Sequence, residues 1–220
     1  MIQQSEPGAI TRWLGAALSA VLLSLSAPTS ATPVTAASAP GAVFRTPLRD
    51  LPASLARLLQ TAQQLRAVQT GPEHGPEITV FFDPNCPACA HLWPRVAPQA
   101  PRVRIRWIPV AWARPESLGV AAAILDAPDP ARSLAHNEAG FDWAQGHGAH
   151  MPAFHIAAAT RDDVLHNTTV WHDQIGMLPA LLYRDTTGVH LFIGTPSAPQ
   201  WQAILRRIGP LGQGSAPAAP

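Results

Sequence analysis

Residues 81–89 have the sequence Phe-Phe-Asp-Pro-Asn-Cys-Pro-Ala-Cys, and Cys86 and Cys89 are the only cysteines of the chain. The apolar run before them predicts a short buried strand, and Pro87 suits the first position of a helix, where a missing N–H costs nothing. The positive end of such a helix lowers the pKa of Cys86, and Cys89 lies one turn on, within reach to resolve a mixed disulfide. The pattern predicts thiol–disulfide exchange.

Composition favours a globular protein of one domain with appendages. Hydrophobic residues make up 47% of the 220 residues and charged residues 13%, which is enough apolar side chain for a core. The formal net charge is only +1, so we expect no nucleic-acid partner.

The N-terminus is predicted to be an export signal over residues 1–31. Arg12 precedes an apolar run over residues 13–27, and Thr29-Ser30-Ala31 offers a cleavage site. An uncleaved membrane anchor is the alternative, although the run is short for a membrane span. Either form places the folded part in an oxidising compartment.

Residues 32–75 are predicted to hold a linker and one amphipathic helix, from about Pro52 to Val68. Its apolar stripe consists of Leu55, Leu58, Leu59, Ala62 and Leu65. This helix either serves as a linker helix or folds back on the domain through its leucines, and the second placement is favoured. Residues 211–220 are predicted to be a flexible tail.

Residues 76–210 show the order β–α–β, several helices, then β–β–α. This order predicts an α/β thioredoxin fold with a helical insertion, about residues 112–175, between the cysteine helix and the later strands. At the second strand, about residues 103–110, Arg102, Arg104 and Arg106 alternate with apolar residues, which favours a solvated edge strand over an anion site.

Several stretches resemble the DsbC and DsbG family of periplasmic disulfide isomerases. They are Phe81–Cys89, Trp107–Val110, Ala121–Ala127, Asp129–Ala131 and Gly176–Tyr183. The resemblance implies that Cys86 is the attacking thiolate and Cys89 the resolving thiol. It also implies that Pro179 is a cis-proline, which with Leu178 binds an extended substrate segment by β-augmentation.

Three features depart from that family. Leu178 stands where the family has Thr, and Ala88 where it usually has an aromatic residue. The segment before Ile78 is too short for most of the N-terminal dimerisation domain of these isomerases. A monomer is therefore favoured over their dimer.

Two further residues near the cysteines are candidates for electrostatic tuning. Asp83 either relays protons or sets local charge, or it simply forms the turn before Pro84, and His91 is expected to be exposed on the helix. No second ligand pair has the spacing of a zinc site, so no metal is expected. No cofactor is expected beyond the redox-active cysteine pair.

The sequence therefore predicts a thiol–disulfide oxidoreductase of the bacterial periplasm that reduces or isomerises disulfides through a mixed disulfide. Its expected partners are exported proteins with thiols or disulfides, and a membrane thiol reductant similar to DsbD. Two alternatives stay open. One is a dithiol oxidase that works in the DsbA direction, and the other is a non-enzymatic chaperone or accessory of a secretion or conjugation assembly.

Overall fold

The computed structural model describes residues 51–99 and 102–209 of the chain. The predicted signal at 1–31, the first part of the linker and the predicted tail at 211–220 lie outside the described residues. The helices and strands in chain order are α1 (Leu51–Gln64), β1 (Val68–Thr70), β2 (Glu77–Phe82), α2 (Pro87–Val96), β3 (Arg104–Pro109), α3 (Ser117–Leu125), α4 (Pro130–Ala139), α5 (Ala158–Gln174), β4 (Ala180–Asp185), β5 (Gly188–Ile193) and α6 (Ala198–Ile208).

The strands form one sheet in the order β1-β3-β2-β4-β5, with β2 at its centre. Strands β2 and β3 are parallel, and the other neighbouring pairs are antiparallel. The crossover between the parallel strands runs through α2, as a parallel pair requires. The central strand β2 therefore ends just before Cys86, which is the residue that precedes α2.

Each face of the sheet carries its own apolar cluster, because successive strand residues point to opposite sides. One cluster joins Val80 and Phe82 of β2 to Leu92 of α2 and to residues of α3, α4 and α6. The other joins Phe81 of the same strand to α1 and to Trp171 of α5. The central strand is thus buried on both faces, which explains its unbroken apolar run.

Helix α1 folds back on the domain, the placement that its leucine stripe favours. The stripe residues Leu55, Leu58, Leu59, Ala62 and Leu65 are all buried in the second cluster. The helix ends at Gln64, however, and the predicted continuation to Val68 is wrong. The chain turns there because Val68–Thr70 pairs antiparallel with β3 as strand β1.

Strand β1 also overturns the prediction that β3 lies at the edge of the sheet. Arg106 is not a solvated side chain of an edge strand. Its guanidinium donates hydrogen bonds to the carbonyl oxygens of Ala62 (3.2 Å), Gln63 (3.1 Å) and Leu65. These carbonyls at the end of α1 have no partner inside the helix, and a cation is favourable at that end. Arg106 therefore holds the end of α1 against the sheet.

Arg104 is likewise paired rather than free. Its guanidinium contacts the Glu77 carboxylate at 2.5 Å and donates to the Glu73 carbonyl oxygen at 2.9 Å. Only Arg102, which precedes the strand, is exposed as predicted.

Helices α3, α4 and α5 form the insertion. The C-terminal hairpin of β4 and β5 turns between Asp185 and Gly188, and the φ of 136° at Gly188 suits glycine. None of the helices in the described part of the chain is both long enough and apolar enough to cross a membrane.

We predict that Arg106→Met destabilises the protein, because methionine keeps the apolar stem but removes the guanidinium that donates to the carbonyls at the end of α1. The expected loss in the free energy of unfolding is about 2 kcal/mol, measured by urea denaturation. Arg102→Met is the matched control, since Arg102 is exposed. Equal losses in both variants would show that Arg106 does not anchor α1.

Candidate active site

The two cysteines occupy different environments at the start of α2. Cys86 is the N-cap residue and is partly exposed, whereas the side chain of Cys89 is buried, with 1% exposure. The backbone N–H groups of Cys89 and Ala90 each donate to the Cys86 carbonyl oxygen at 3.0 Å, which fixes the first turn. Both residues are free thiols in this structure. Cys86 alone is accessible to a substrate.

The environment lowers the pKa of Cys86 from 9.0 to about 7. The main cause is a hydrogen bond from the Cys89 thiol, and the backbone N–H groups of Cys89 and Ala88 add to it against the cost of burial. Burial raises the pKa of Cys89 well above its ordinary value. The pair therefore divides into a nucleophilic thiolate and a thiol that keeps its proton.

The peptide bond between Leu178 and Pro179 is cis, as the resemblance implies. Ala180 pairs with Phe81 in the sheet, so Pro179 lies beside the end of β2, the same end that leads to Cys86. Leu178 and Cys86 are both partly buried and pack against the same core cluster. Met177, just before them, is exposed, and its carbonyl oxygen accepts from Trp171 Nε1 at 2.9 Å.

Asp83 is fully buried between the end of β2 and the loop after β3. One carboxylate oxygen accepts from the backbone N–H of Asn85 and from Ser117 Oγ, both at 2.8 Å. The other accepts from the N–H groups of Trp112 (2.6 Å) and Ala113 (2.7 Å). Burial raises the pKa of Asp83, and these four bonds oppose that shift. Asp83 thus shapes the turn before Cys86, and its charge also raises the pKa of Cys86.

His91 is exposed on α2, as predicted, and its ring lies 4.3 Å from that of Trp143. No hydrogen bond or ion pair joins it to either cysteine among the described residues. The electrostatic role suggested for His91 stays a prediction.

A buried polar shell beneath the cysteine turn was missed by the sequence analysis. It consists of Asn85, Ser117, Asn137, Glu138 and the backbone of Gly148. Asn85 Nδ2 donates to Ser117 Oγ at 3.2 Å, and its Oδ1 accepts from the Gly148 N–H at 3.0 Å. A side chain at residue 148 would meet the Asn137 amide at 2.2 Å, so this close approach needs glycine.

Asn137 and Glu138 come from the insertion. Asn137 Nδ2 donates to the Pro84 carbonyl oxygen at 2.9 Å and to Glu138 Oε1 at 3.0 Å. Burial raises the pKa of Glu138 to about 8, and the nearby charges of Cys86 and Asp83 add to the shift. Glu138 follows the buried Leu134 by four residues, so the one sequence signal was an acid on the apolar face of α4.

The described residues contain no group of three or more His, Cys, Asp or Glu side chains close enough to hold a metal ion. Of the predicted site residues, the structure brings Cys86, Cys89 and Asp83 together, and it places Leu178 and Pro179 at the same end of the sheet.

Comparison with known proteins agrees with this geometry. The chain is 30% identical over 156 residues to the thiol:disulfide interchange protein DsbG of Pseudomonas aeruginosa, covering 69% of this chain and 58% of that protein. It is 36% identical over 83 residues to DsbG of Escherichia coli, covering 36% and 34%. This chain resembles DsbG. It spans less than two thirds of the length of these curated relatives, and no protein-family model matches it.

A solved structure shows the same fold. A periplasmic thioredoxin-like protein from Salmonella enterica serovar Typhimurium superposes with a TM-score of 0.55 at 19% identity, covering 69% of this chain and 95% of that one. The predicted resemblance to DsbG and the predicted thioredoxin fold with a helical insertion are confirmed.

We predict that the reactivity of Cys86 depends on the Cys89 thiol. The alkylation rate of the reduced protein with iodoacetamide should rise with pH about a midpoint near 7. Cys89→Ala removes the hydrogen-bond donor and should move the midpoint to higher pH, while Cys89→Ser keeps a hydroxyl donor and should move it less. Identical midpoints in all three proteins would exclude the hydrogen bond as the cause.

We also predict that Glu138 makes stability depend on pH. Its folded pKa of about 8 exceeds its ordinary value of 4.5, so the folded state binds the proton more tightly over that interval. Stability from this group is complete below pH 4.5 and is lost as pH rises to about 8.

Over the same interval, Glu138→Gln should gain stability relative to the wild type, because glutamine never ionises. Urea denaturation of the reduced proteins at a series of pH values measures this difference. Glu73→Gln, which changes an exposed acid, should show no such trend. A pH-independent difference for Glu138→Gln would contradict the expectation.

Proposed function

We propose that this chain is a thiol–disulfide oxidoreductase of the bacterial envelope that reduces or isomerises disulfides in exported proteins. The proposal rests on the difference in exposure and pKa between the two cysteines. A partly exposed thiolate with a pKa of about 7 stands beside a buried thiol that stays protonated. An attacking and a resolving cysteine need these properties. The similarity to DsbG supports the same chemistry.

In the proposed reaction the Cys86 thiolate attacks one sulfur of a substrate disulfide. A Cys86–substrate disulfide forms, and the other substrate sulfur leaves as a thiolate and takes a proton from water. Cys89 then attacks Cys86, so that the substrate is released reduced and the protein pair is oxidised. In isomerisation a substrate thiol, rather than Cys89, resolves the mixed disulfide. The cysteine pair carries the electrons, and the proposal needs no other cofactor.

The region of Leu178 supports a site for an extended substrate segment. Within the described residues, the backbone N–H and C=O of Leu178 make no hydrogen bond, whereas the Pro179 carbonyl accepts from the Gly194 N–H at 2.7 Å. An extended chain can pair with such free groups. Exposed Met177 and Trp112 would add apolar contacts on this side.

The thiolate pKa favours reduction over oxidation. Strong dithiol oxidants stabilise their reduced form, and their attacking thiolate has a pKa of roughly 3.5, against roughly 7 in thioredoxin. The pKa of about 7 for Cys86 is similar to that of the attacking thiol in thioredoxin and supports the reducing direction. A reducing protein in the periplasm must have its oxidised cysteine pair reduced again after each turnover. We assign this reduction to a membrane thiol reductant similar to DsbD.

We predict that the wild type reduces a protein disulfide in vitro, that Cys86→Ser abolishes this activity, and that Cys89→Ala accumulates mixed disulfides. Turnover with dithiothreitol as electron donor and gel mobility without reductant measure the two effects. Activity retained in Cys86→Ser would contradict the proposal.

The state of the pair in cells tests the direction. Alkylation of acid-quenched cells should find Cys86 and Cys89 reduced, and an oxidised pair would point to a dithiol oxidase instead. Full function of Cys86→Ser in cells would point to a non-enzymatic accessory role.

A further inference from the structure

Thr195 lies in the loop between β5 and α6 and contacts the cysteine turn. Its hydroxyl donates a hydrogen bond of 2.7 Å to the carbonyl oxygen of Ala88, the residue just before Cys89. The two bonded residues are 107 positions apart in the chain. The loop after the last strand therefore reaches the dipeptide between the two cysteines.

The backbone on both sides of Thr195 is fixed. Before it, the Gly194 N–H donates to the Pro179 carbonyl oxygen at 2.7 Å, which continues the pairing of β4 with β5 by one step. After it, Ser197 is the N-cap of α6 and forms a capping box. The hydroxyl is thus presented to Ala88 by backbone that is already ordered, so little further entropy is lost when the bond forms.

The helix itself does not need this bond. Ala88 lies in the first turn of α2, and a carbonyl at such a position accepts from the N–H four residues later in the helix. The helix carbonyls without a partner are those of the last turn. The bond from Thr195 is therefore a second hydrogen bond to this carbonyl, and the satisfaction of an unpaired backbone group does not account for it.

The Ala88 carbonyl belongs to the same peptide group as the N–H of Cys89. That N–H donates to the Cys86 carbonyl oxygen at 3.0 Å, and its hydrogen bond to the Cys86 sulfur is among the causes that lower the pKa of Cys86 to about 7. A hydrogen bond accepted by one end of a peptide group polarises the group and strengthens the donor at its other end. The hydroxyl and the nucleophile thus lie at opposite ends of one peptide group.

We propose that Thr195 is a positioning residue for the nucleophile. Its hydroxyl orients and polarises the peptide group between Ala88 and Cys89, so that the N–H of this group stabilises the Cys86 thiolate. The inference rests on the proposed exchange function and names a residue that sustains its nucleophile. Thr195 acts through the backbone of the cysteine turn rather than on a sulfur atom.

The same loop connects the nucleophile with the substrate segment proposed at Leu178. Gly194 binds the carbonyl oxygen of Pro179, the residue after Leu178, and Thr195 binds the cysteine turn. An extended substrate chain that pairs with Leu178 is therefore positioned relative to Cys86 through two adjacent residues of one loop.

Alkylation of the reduced protein with iodoacetamide over a range of pH tests the inference, with Thr195→Val as the main variant. Valine has the shape of threonine and lacks the hydroxyl donor. At about pH 6 the rate follows the thiolate fraction of Cys86, and it should fall about threefold. At about pH 9 Cys86 is ionised in both proteins, and the rate should not change.

Two further variants serve as controls. Thr195→Ser keeps a hydroxyl donor and should follow the wild type at both pH values. Thr169→Val removes a hydroxyl of the same kind, because exposed Thr169 donates from Oγ1 to the Leu165 carbonyl oxygen at 3.0 Å within α5. This change should leave both rates as they are in the wild type.

A Thr195→Val profile that superposes on that of the wild type overturns the inference. A loss by the same factor at both pH values also overturns it, since access to Cys86 rather than ionisation would then have changed. An equal loss in Thr195→Ser has the same meaning, because the hydroxyl would not be the cause.

Failure of the proposed function is a separate result. A wild type that is alkylated with a midpoint near 7 but reduces no protein disulfide overturns the function, whereas the alkylation profiles of the variants still decide the role of Thr195.

The equilibrium of the cysteine pair with glutathione gives a second readout. A stabilised thiolate favours the reduced pair, so loss of the hydroxyl should shift the equilibrium toward the Cys86–Cys89 disulfide, about threefold at about pH 8. Thr195→Ala should shift it in the same direction, which separates loss of the hydroxyl from any effect of the added valine methyl group on packing. An unchanged equilibrium in both variants overturns the inference.

Discussion

The hydrogen bonds that converge on the buried carboxylate of Asp83 hold the active site together. Two donors come from the turn and helix around the site, Asn85 and Ser117, and two come from the loop after β3, at Trp112 and Ala113. Hydrogen bonds to a charged acceptor are stronger than neutral ones, and leaving such a buried acceptor without donors is costly. The cysteine turn is therefore fixed relative to the insertion and not only to the sheet.

This constraint makes the insertion part of the chemistry. Ser117 begins α3 and also accepts from Asn85, while Asn137 of α4 donates to the Pro84 carbonyl. Through Asn137 the same shell brings Glu138 beneath the nucleophile. The helical insertion thus supplies polar groups that hold the cysteine turn, and the charge of its Glu138 adds to the raised pKa of Cys89.

The parts of the fold that could be predicted are those encoded by local pattern. The apolar run of β2, the proline after Cys86 and the leucine stripe of α1 each carry a periodicity or a positional preference that survives in the structure. The resemblance to DsbG added the cis bond at Pro179, which local pattern cannot supply. Strand β1 was missed because three residues are too few to show alternation, and its pairing with β3 is a long-range event.

The polar shell could not be predicted for a related reason. Whether a Glu or Asn on a helix is buried depends on what the helix packs against. Helix α4 packs against a segment 53 residues earlier in the chain, as the hydrogen bond from Asn137 to the Pro84 carbonyl shows. Arg106 illustrates the same limit. Its alternation with apolar residues indicated a side chain exposed to solvent, but its guanidinium donates to the carbonyl oxygens of α1. Pairing of this kind is visible only in three dimensions.

Two buried acids close to a thiolate need an explanation, because each of them opposes its formation. A hydrogen bond from the Cys89 thiol and the backbone N–H groups of Cys89 and Ala88 outweigh them, so Cys86 still ionises near neutral pH. The effect is mutual for Glu138, because disulfide formation removes the thiolate charge that raises the pKa of this carboxyl. The protonation of the shell is thereby coupled to the redox state of the pair. This coupling gives a buried carboxyl such as Glu138 a reason to lie where an apolar side chain would pack at lower cost.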